Sequence, residues 1–381
     1  LLFLAERFPP DIGGVATSAG RISQQLCQLG IKVDVLVWSR QLQPAIVQPP
    51  NNNDAQLPVY RVGLYKNWDM TMNHTINVLD DLHQTYSYDA VWGHYLFPAG
   101  FLAVWFASLN GIFSIVSARG NDIDRAVFPP GDFARLRWTL EEANLITTAS
   151  EDLARKVAVI AKRKNSIALK NAVNTDSFKP SLSLRDRAQK REALGIHPEE
   201  VVLAFCGELR EKKGQQFLLE ALSQVRKKRP ACLLIIGEVR QTRDAVLEVY
   251  SLQNPEDGDR VIVTGHLSQS ETVAEYLQLA DIFLLPSVWD GLPNALLEAM
   301  ACQCCCIASD AGGIPEVITQ GKTGFILMRS QLHQLGEAIL ECLQLSIEER
   351  NAIGKAAREE ILETYSLEAE RSRLKSVISN Q

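Results

Sequence analysis

Residues 281–298 read DIFLLPSVWDGLPNALLE. An apolar run, Ile282–Leu285, ends at Pro286 and passes through a short polar turn. Pro293 then stands where a helix would make its first turn, because proline has no N–H to lose there. A buried strand leading through a turn into a helix is half of a parallel crossover unit. The free N–H groups at such a helix start carry partial positive charge and suit a phosphate. Asp290 precedes the helix and Glu298 lies more than one turn inside it, so the two carboxylates can accept hydrogen bonds from two different parts of a ligand.

The same alternation runs outward in both directions. Strands are expected at Leu1–Ala5, Lys32–Trp38, Ala90–Trp92, Phe113–Ser117, Leu145–Thr148 and Ile167–Leu169. A second series follows at Val201–Cys206, Cys232–Ile236, Val261–Val263, Ile282–Leu285 and Cys305–Ala308. Between the first two strands Val15, Ala19, Ile22, Leu26 and Leu29 recur at steps of four and three, one face of a helix that Gly30 stops. The Pro- and Asn-rich stretch 41–58 reads as a surface loop. At 381 residues the chain exceeds what one core usually serves. The expected class is α/β, with two doubly wound domains whose parallel sheets face a central cleft. The first domain takes 1–177, a polar linker 178–197, the second domain 198–364, and a C-terminal helix within 365–381 packs back toward the first. In such sheets ligands bind beyond the carboxyl ends of the strands, so functional residues should follow strands.

Composition narrows the partners. The chain is 46% hydrophobic and 22% charged, which fits a folded globular protein. A net charge of −6 argues against nucleic acid, whose phosphates need a basic surface. One basic cluster, Arg155, Lys156, Lys162, Arg163 and Lys164, reads first as a solvated helix end. Its lesser reading is a weak peripheral membrane contact through the N-terminal domain. No apolar run is long enough to span a bilayer, and LLFLA at the start is a strand entered midway rather than a signal peptide. Eight cysteines, four of them at Cys302, Cys304, Cys305 and Cys306, read as small buried hydrophobes rather than a metal site. Unpaired thiols imply a reducing, cytoplasmic compartment, with the inner membrane face as a peripheral alternative.

Four further segments follow strands. Gly13-Gly14 opens the first helix and lets the backbone approach a ligand, though it lacks the glycine spacing of a dinucleotide site. In GELREKKG, residues 207–214, Arg210 and Lys213 could neutralise a leaving anion. His94 stands in WGHYLFP at a strand end, and Asp122 and Arg125 in SARGNDIDR at another. Asp122 with Asp124, and Asp257 with Asp259, have the spacing of a metal-binding pair, a spacing that chance also supplies.

Together these segments resemble the retaining glycosyltransferase family 4, of GT-B fold with two Rossmann-like domains. The likeness is most specific over Gly265–Phe325, in GHLS, ADIFLLPS, DGLPNALLEAMA, SDAGGIPEVI and GKTGF. The resemblance implies transfer of a sugar from a nucleotide-diphosphate sugar to an acceptor hydroxyl with retention, without a metal or other cofactor. It implies that Asp290 meets the donor sugar and Glu298 the ribose. The backbone amides of Gly291, Leu292, Pro293, Asn294 and Ala295 would meet phosphate and sugar, and Gly265, His266 and Leu267 would line the base. Gly13 and Gly14 approach the diphosphate, Arg210 and Lys213 clamp it, His94 lies near the reacting carbon, and Asp122 and Arg125 face it from the acceptor side. The acceptor is a sugar, lipid-linked or small molecule that the sequence does not name. The chain departs from the family at Asp290, usually Glu; at Glu208, where Arg is common, with Arg210 two residues later; and at Ala172 and Asn174, where Gly and Asp are common. The rival readings are a nucleotide-sugar epimerase, an inverting transferase, a catalytically dead scaffold, and a non-catalytic two-domain ligand binder.

Overall fold

A computed structural model describes residues 1–51, 56–163, 166–239, 250 and 260–379. Lys164 of the basic cluster and the Asp257–Asp259 pair lie outside the described residues. The chain divides into two units, Leu1–Asn171 with Glu370–Gln381, and Ala172–Ala369.

Among the described residues the first unit is built on eight strands: β1 Leu2–Ala5, β2 Asp34–Ser39, β3 Val47–Gln48, β4 Val59–Gly63, β5 Ala90–His94, β6 Phe113–Ala118, β7 Leu145–Thr148 and β8 Ser166–Ala168. Their order is β3-β4-β2-β1-β5-β6-β7-β8. Only the β3–β4 pairing is antiparallel. Strand β1 is buried on both faces: Leu2 and Leu4 join one apolar cluster with Leu36 and Val91, while Phe3 and Ala5 join another with Val35 and Trp92. That two-sided burial is why it reads as an unbroken apolar run.

Among the described residues the second unit has six strands: β9 Val201–Cys206, β10 Ala231–Ile236, β11 Val261–Val263, β12 Ile282–Leu285, β13 Cys306–Ser309 and β14 Phe325–Leu327. All pair in parallel, in the order β11-β10-β9-β12-β13-β14. The parallel strands of each sheet therefore reverse chain order at one place: between β1 and β5 in the first unit, and between β9 and β12 in the second. Loops leaving the carboxyl ends of two such strands diverge and open a crevice.

Some expectations change in detail. Segment 178–197 is more than a linker, for it holds a helix, Leu184–Ala193, within the second unit. Its polarity suits an exposed helix whose arginines cap another: Arg187 donates to Gln278 O at 2.9 Å and Arg191 to Leu279 O at 3.0 Å. The C-terminal pattern is two helices, Ile347–Thr364 and Leu367–Ser379. The first starts in a capping box made by Ser346 and Glu349. Among the described residues no helix is long and apolar enough to cross a membrane.

Gly214, at φ +78°, lies where the two switch-point loops of the second unit meet, and a Cβ there would collide with the Pro286 carbonyl. Gly214→Ala should cost about 2 kcal/mol or more, from left-handed backbone strain and the clash together. A lowered urea midpoint at unchanged m-value is the expected result.

Candidate functional site

In the second unit the loops after β9 and β12 meet. The Val288 N–H donates to Lys212 O at 2.8 Å, and the Lys213 ammonium pairs with the Asp290 carboxylate. Ser287 Oγ lies 3.4 Å from the same carboxylate. The turn is held from its other side by the loop after β13: the Gly313 N–H donates to Gly291 O at 2.7 Å, and Gly312, at φ +52°, packs so closely on Asp290 that a Cβ would strike its carbonyl. Gly291, Leu292 and Pro293 are buried, and Asn294 and Ala295 half-buried.

The helix Asn294–Ala301 begins here with no side-chain cap and no acidic residue in its first turn. Asn294 Oδ1 is buried without a hydrogen-bond partner. Glu298 is half-buried one turn on. Burial raises the Cys206 thiol well above its ordinary range; the charge of Glu298 adds to that rise, and Lys213 opposes it. Both charges thus act on the last residue of β9, the switch-point strand. An ammonium, two carboxylates and an uncapped helix start are gathered at one strand end, an arrangement suited to an anion beside a polyhydroxylated group.

Arg210 stands differently. Its guanidinium pairs with Glu208, in the strand-end motif where Arg is common in the family. Lys213, not Arg210, is the cation that meets Asp290. Gly265, at φ +73°, follows β11 with His266 exposed and Leu267 half-buried. Thr264 ties this loop inward, its hydroxyl accepting from the Gly237 N–H at 3.1 Å, and a Cβ on Gly237 would collide with Gly207. The loops after β11, β10 and β9 are therefore packed in series.

The first unit gathers Gly13, Gly14, His94 and Asp122. Gly13, at φ +127°, precedes the helix Gly14–Gln28, which has no side-chain cap and no acidic first turn; both glycines are exposed. His94 ends β5 and is fully buried, its ring stacked on Phe3 at 5.6 Å between centroids. Its Nε2 lies 2.8 Å from Ser18 Oγ, one turn into that helix. Ser18 spends its single hydroxyl proton on Val15 O at 3.0 Å, so its Oγ accepts from His94 Nε2–H. That tautomer leaves Nδ1 with a lone pair, and Nδ1 is buried without a partner. Burial, then the charges of Arg119 and Arg21, hold the imidazole well below its ordinary range. It is neutral at neutral pH, poised to accept a hydrogen bond.

Asp122 is buried and its oxygens accept from the backbone N–H groups of Leu96 at 3.1 Å, Arg119 at 3.0 Å and Gly120 at 2.7 Å. It joins the loops after β5 and β6, so its carboxylate organises backbone rather than standing open to a ligand. Arg125 is exposed at the end of the short helix Asn121–Asp124. Asp124 binds Lys156 at 2.8 Å, so the two aspartates serve separate structural bonds. The crowded cysteines are buried and free, with Cys305 and Cys342 sulfurs 3.7 Å apart. Ser18, Arg119 and Glu370 were not singled out from sequence. Only Ser18 left a signal, as a polar residue among the apolar positions of the first helix.

Two family models match the chain, "Glycosyl transferase 4-like domain" over residues 13–166 and "Glycosyl transferases group 1" over residues 186–360. The chain belongs to the group 1 glycosyl transferases. Among relatives of this glycosyltransferase is the N-acetyl-alpha-D-glucosaminyl L-malate synthase of Bacillus anthracis, 24% identical over 94% of this chain and 92% of that one. A GDP-mannose-dependent alpha-(1-6)-phosphatidylinositol monomannoside mannosyltransferase of Mycobacterium tuberculosis is 25% identical over 94% and 92%. Solved structures share the GT-B fold: sucrose-phosphate synthase from Thermosynechococcus elongatus at TM-score 0.81 and 18% identity, covering 100% of this chain and 98% of that one. Anabaena HepE in complex with UDP-glucose matches at TM-score 0.82 and 16% identity, covering 100% and 99%.

The neutral His94 has a thermodynamic consequence. In the unfolded chain an imidazole takes up a proton near pH 6.5, while in the glycosyltransferase it does not. The unfolded state then binds more protons, so stability falls as pH drops below about 6.5. Between pH 6.5 and 5.5 this one group should remove about 1 kcal/mol. His94→Gln should flatten that part of the pH–stability curve, as read from urea midpoints at the two pH values.

Proposed function

We propose that this glycosyltransferase moves a hexose from a nucleotide-diphosphate donor to an acceptor hydroxyl with retention of anomeric configuration and without a metal ion. The observation that carries the reading is the Lys213–Asp290 pair at the β9/β12 switch point, in front of an uncapped helix start. A diphosphate arriving there takes Lys213 and the N–H groups of the first helical turn. Asp290 and the unpartnered Asn294 Oδ1 are then free to accept from sugar hydroxyls. Glu298 takes the ribose, and Gly265, His266 and Leu267 line the base. Arg210 adds positive charge alongside its Glu208 partner. Within the first unit, Gly13 and Gly14 offer N–H groups suited to an anion, and His94 Nδ1 can accept from a hydroxyl. Arg125 stands on the acceptor side.

In the step itself the bond from the anomeric carbon to the phosphate oxygen breaks. The acceptor oxygen bonds that carbon on the same face, and its proton passes to the departing phosphate oxygen. Negative charge grows on the diphosphate as the bond breaks, so fixed positive charge there lowers the barrier. Lys213 and the helix terminus supply it from the chain itself. The acceptor is a hydroxyl-bearing sugar, lipid-linked or small molecule held mainly by the first unit. The protein works in the cytoplasm, with weak peripheral contact at the inner membrane face.

The donor is to be found by thermal shift against UDP-, GDP-, ADP- and dTDP-sugars, since a ligand of the native state raises Tm. GDP-mannose and UDP-glucose come first, being named for the mycobacterial relative and for HepE. With the donor in hand, Lys213→Ala should lower kcat roughly a hundredfold, as loss of one charge-stabilising group does, with Tm nearly unchanged. Turnover should survive EDTA, and the product's anomeric proton coupling should match the donor's. Wild-type turnover in Lys213→Ala would overturn the reading.

A further inference from the structure

Three of the polar residues of the helix Gly14–Gln28, namely Ser18, Arg21 and Gln25, follow one another at steps of three and four. Such spacing puts them in one line along the helix. Ser18 holds His94. Arg21 and Gln25 both reach one carboxylate, that of Glu370, in the C-terminal stretch of chain that belongs to the first unit. Arg21 binds it with both prongs of its guanidinium, Nε to Oε2 at 2.8 Å and Nη2 to Oε1 at 3.0 Å. Glu370 is fully buried and Arg21 nearly so, with 12% of its side chain exposed.

A carboxylate removed from water is costly unless its oxygens are fully bonded, and this one is held by a two-pronged arginine and an amide. A bidentate pair also fixes geometry, because both bonds must be met at once. The fixed object is the helix. Its amino end is Gly13-Gly14, and one turn on it bears the serine that sets the His94 tautomer. Arg119, half-buried beside this group, is drawn by Glu370 and repelled by Arg21; desolvation brings its guanidinium down to about 10. Its guanidinium binds Asn171.

We propose that Glu370 is a positioning residue for the reaction, locking the helix Gly14–Gln28 along its axis so that Ser18 holds the His94 imidazole with Nδ1 open to the substrate. The proposal rests on the transferase reading for its kinetic consequence, and on structure alone for the state of the imidazole. Shifting a reacting group by an ångström costs up to about a hundredfold in rate. Glu370→Gln keeps shape and removes the charge that grips both prongs of Arg21. It should lower kcat roughly tenfold to a hundredfold while the donor KM stays within about twofold, since the proposed donor contacts lie mainly in the second unit.

The direct readout is the side-chain nitrogen NMR signal of His94 in the full chain, which distinguishes Nε2–H from a mixed or charged ring. In Glu370→Gln the fixed tautomer should give way to a mixture. Should that variant not fold, Arg21→Lys decides, because it keeps the charge and loses the fork. A changed imidazole signal with a fall confined to kcat supports the proposal. An unchanged signal with wild-type kcat, or an effect confined to KM, overturns it. If the wild-type protein moves no sugar at all, the transferase reading fails separately and the imidazole signal alone judges Glu370.

Discussion

An ammonium and a carboxylate do not settle side by side at a strand end for stability's sake. Each is mostly withdrawn from water, with 20% of the Lys213 side chain and 14% of the Asp290 side chain exposed. Desolvation offsets most of the attraction in such a pair. The backbone around them is what forces the meeting. Gly214 lets one loop lie against Pro286, Gly312 lets another lie against Asp290, and the Val288 and Gly313 amides fasten the turn on both sides. Remove any of these close approaches and the charges need not meet.

The two sheets solve the same problem twice. Each reverses the order of its parallel strands once, and there a loop-to-helix turn meets a polar side chain from the loop or strand end beside it. In the second unit the turn after β12 brings Asp290 to Lys213. In the first, the helix after β1 brings Ser18 to His94. One site holds opposite charges and the other a neutral ring, and burial decides the difference. A fully buried imidazole beside two guanidiniums cannot stay protonated. Lys213 instead is partly exposed and has a carboxylate partner.

Sequence shows much of this frame and little of its second layer. Val201–Cys206, Val261–Val263 and Ile282–Leu285 are continuous apolar runs, and the strands occupy those residues. Strands β3, β4 and β14 escaped because they are short, edge-like or mixed in polarity, as in VYRVG, and give no clean period. Lys213 and Asp290 were legible because each follows a strand in its own βα unit, and topology brings the two turns together. Ser18 and Glu370 were not, since their partners lie 76 and 349 residues away. Asp122 shows the converse error: an acidic residue after a strand reads as a ligand group, but its oxygens are already taken by backbone N–H groups three residues or fewer away and by Leu96.

Asp290 in place of the longer glutamate fits this geometry. With one methylene fewer, the carboxylate stays close to its own turn, near Ser287 Oγ and the Gly291 N–H at 3.1 Å. A short side chain so placed holds Lys213 in position before any ligand arrives, and preorganised charge is worth most because nothing must be reoriented during reaction. On the proposed function, the donor then exchanges partners rather than creating charges. Its phosphates replace Asp290 at the ammonium, and its sugar hydroxyls replace the ammonium at Asp290. Each buried ion leaves one partner only as it gains another, so neither is left bare in a low-dielectric crevice, where an unpaired charge would be most costly. Recognition of the anion and of the sugar are in this way one event, and a ligand that carried only one of the two would leave the other charge unmatched.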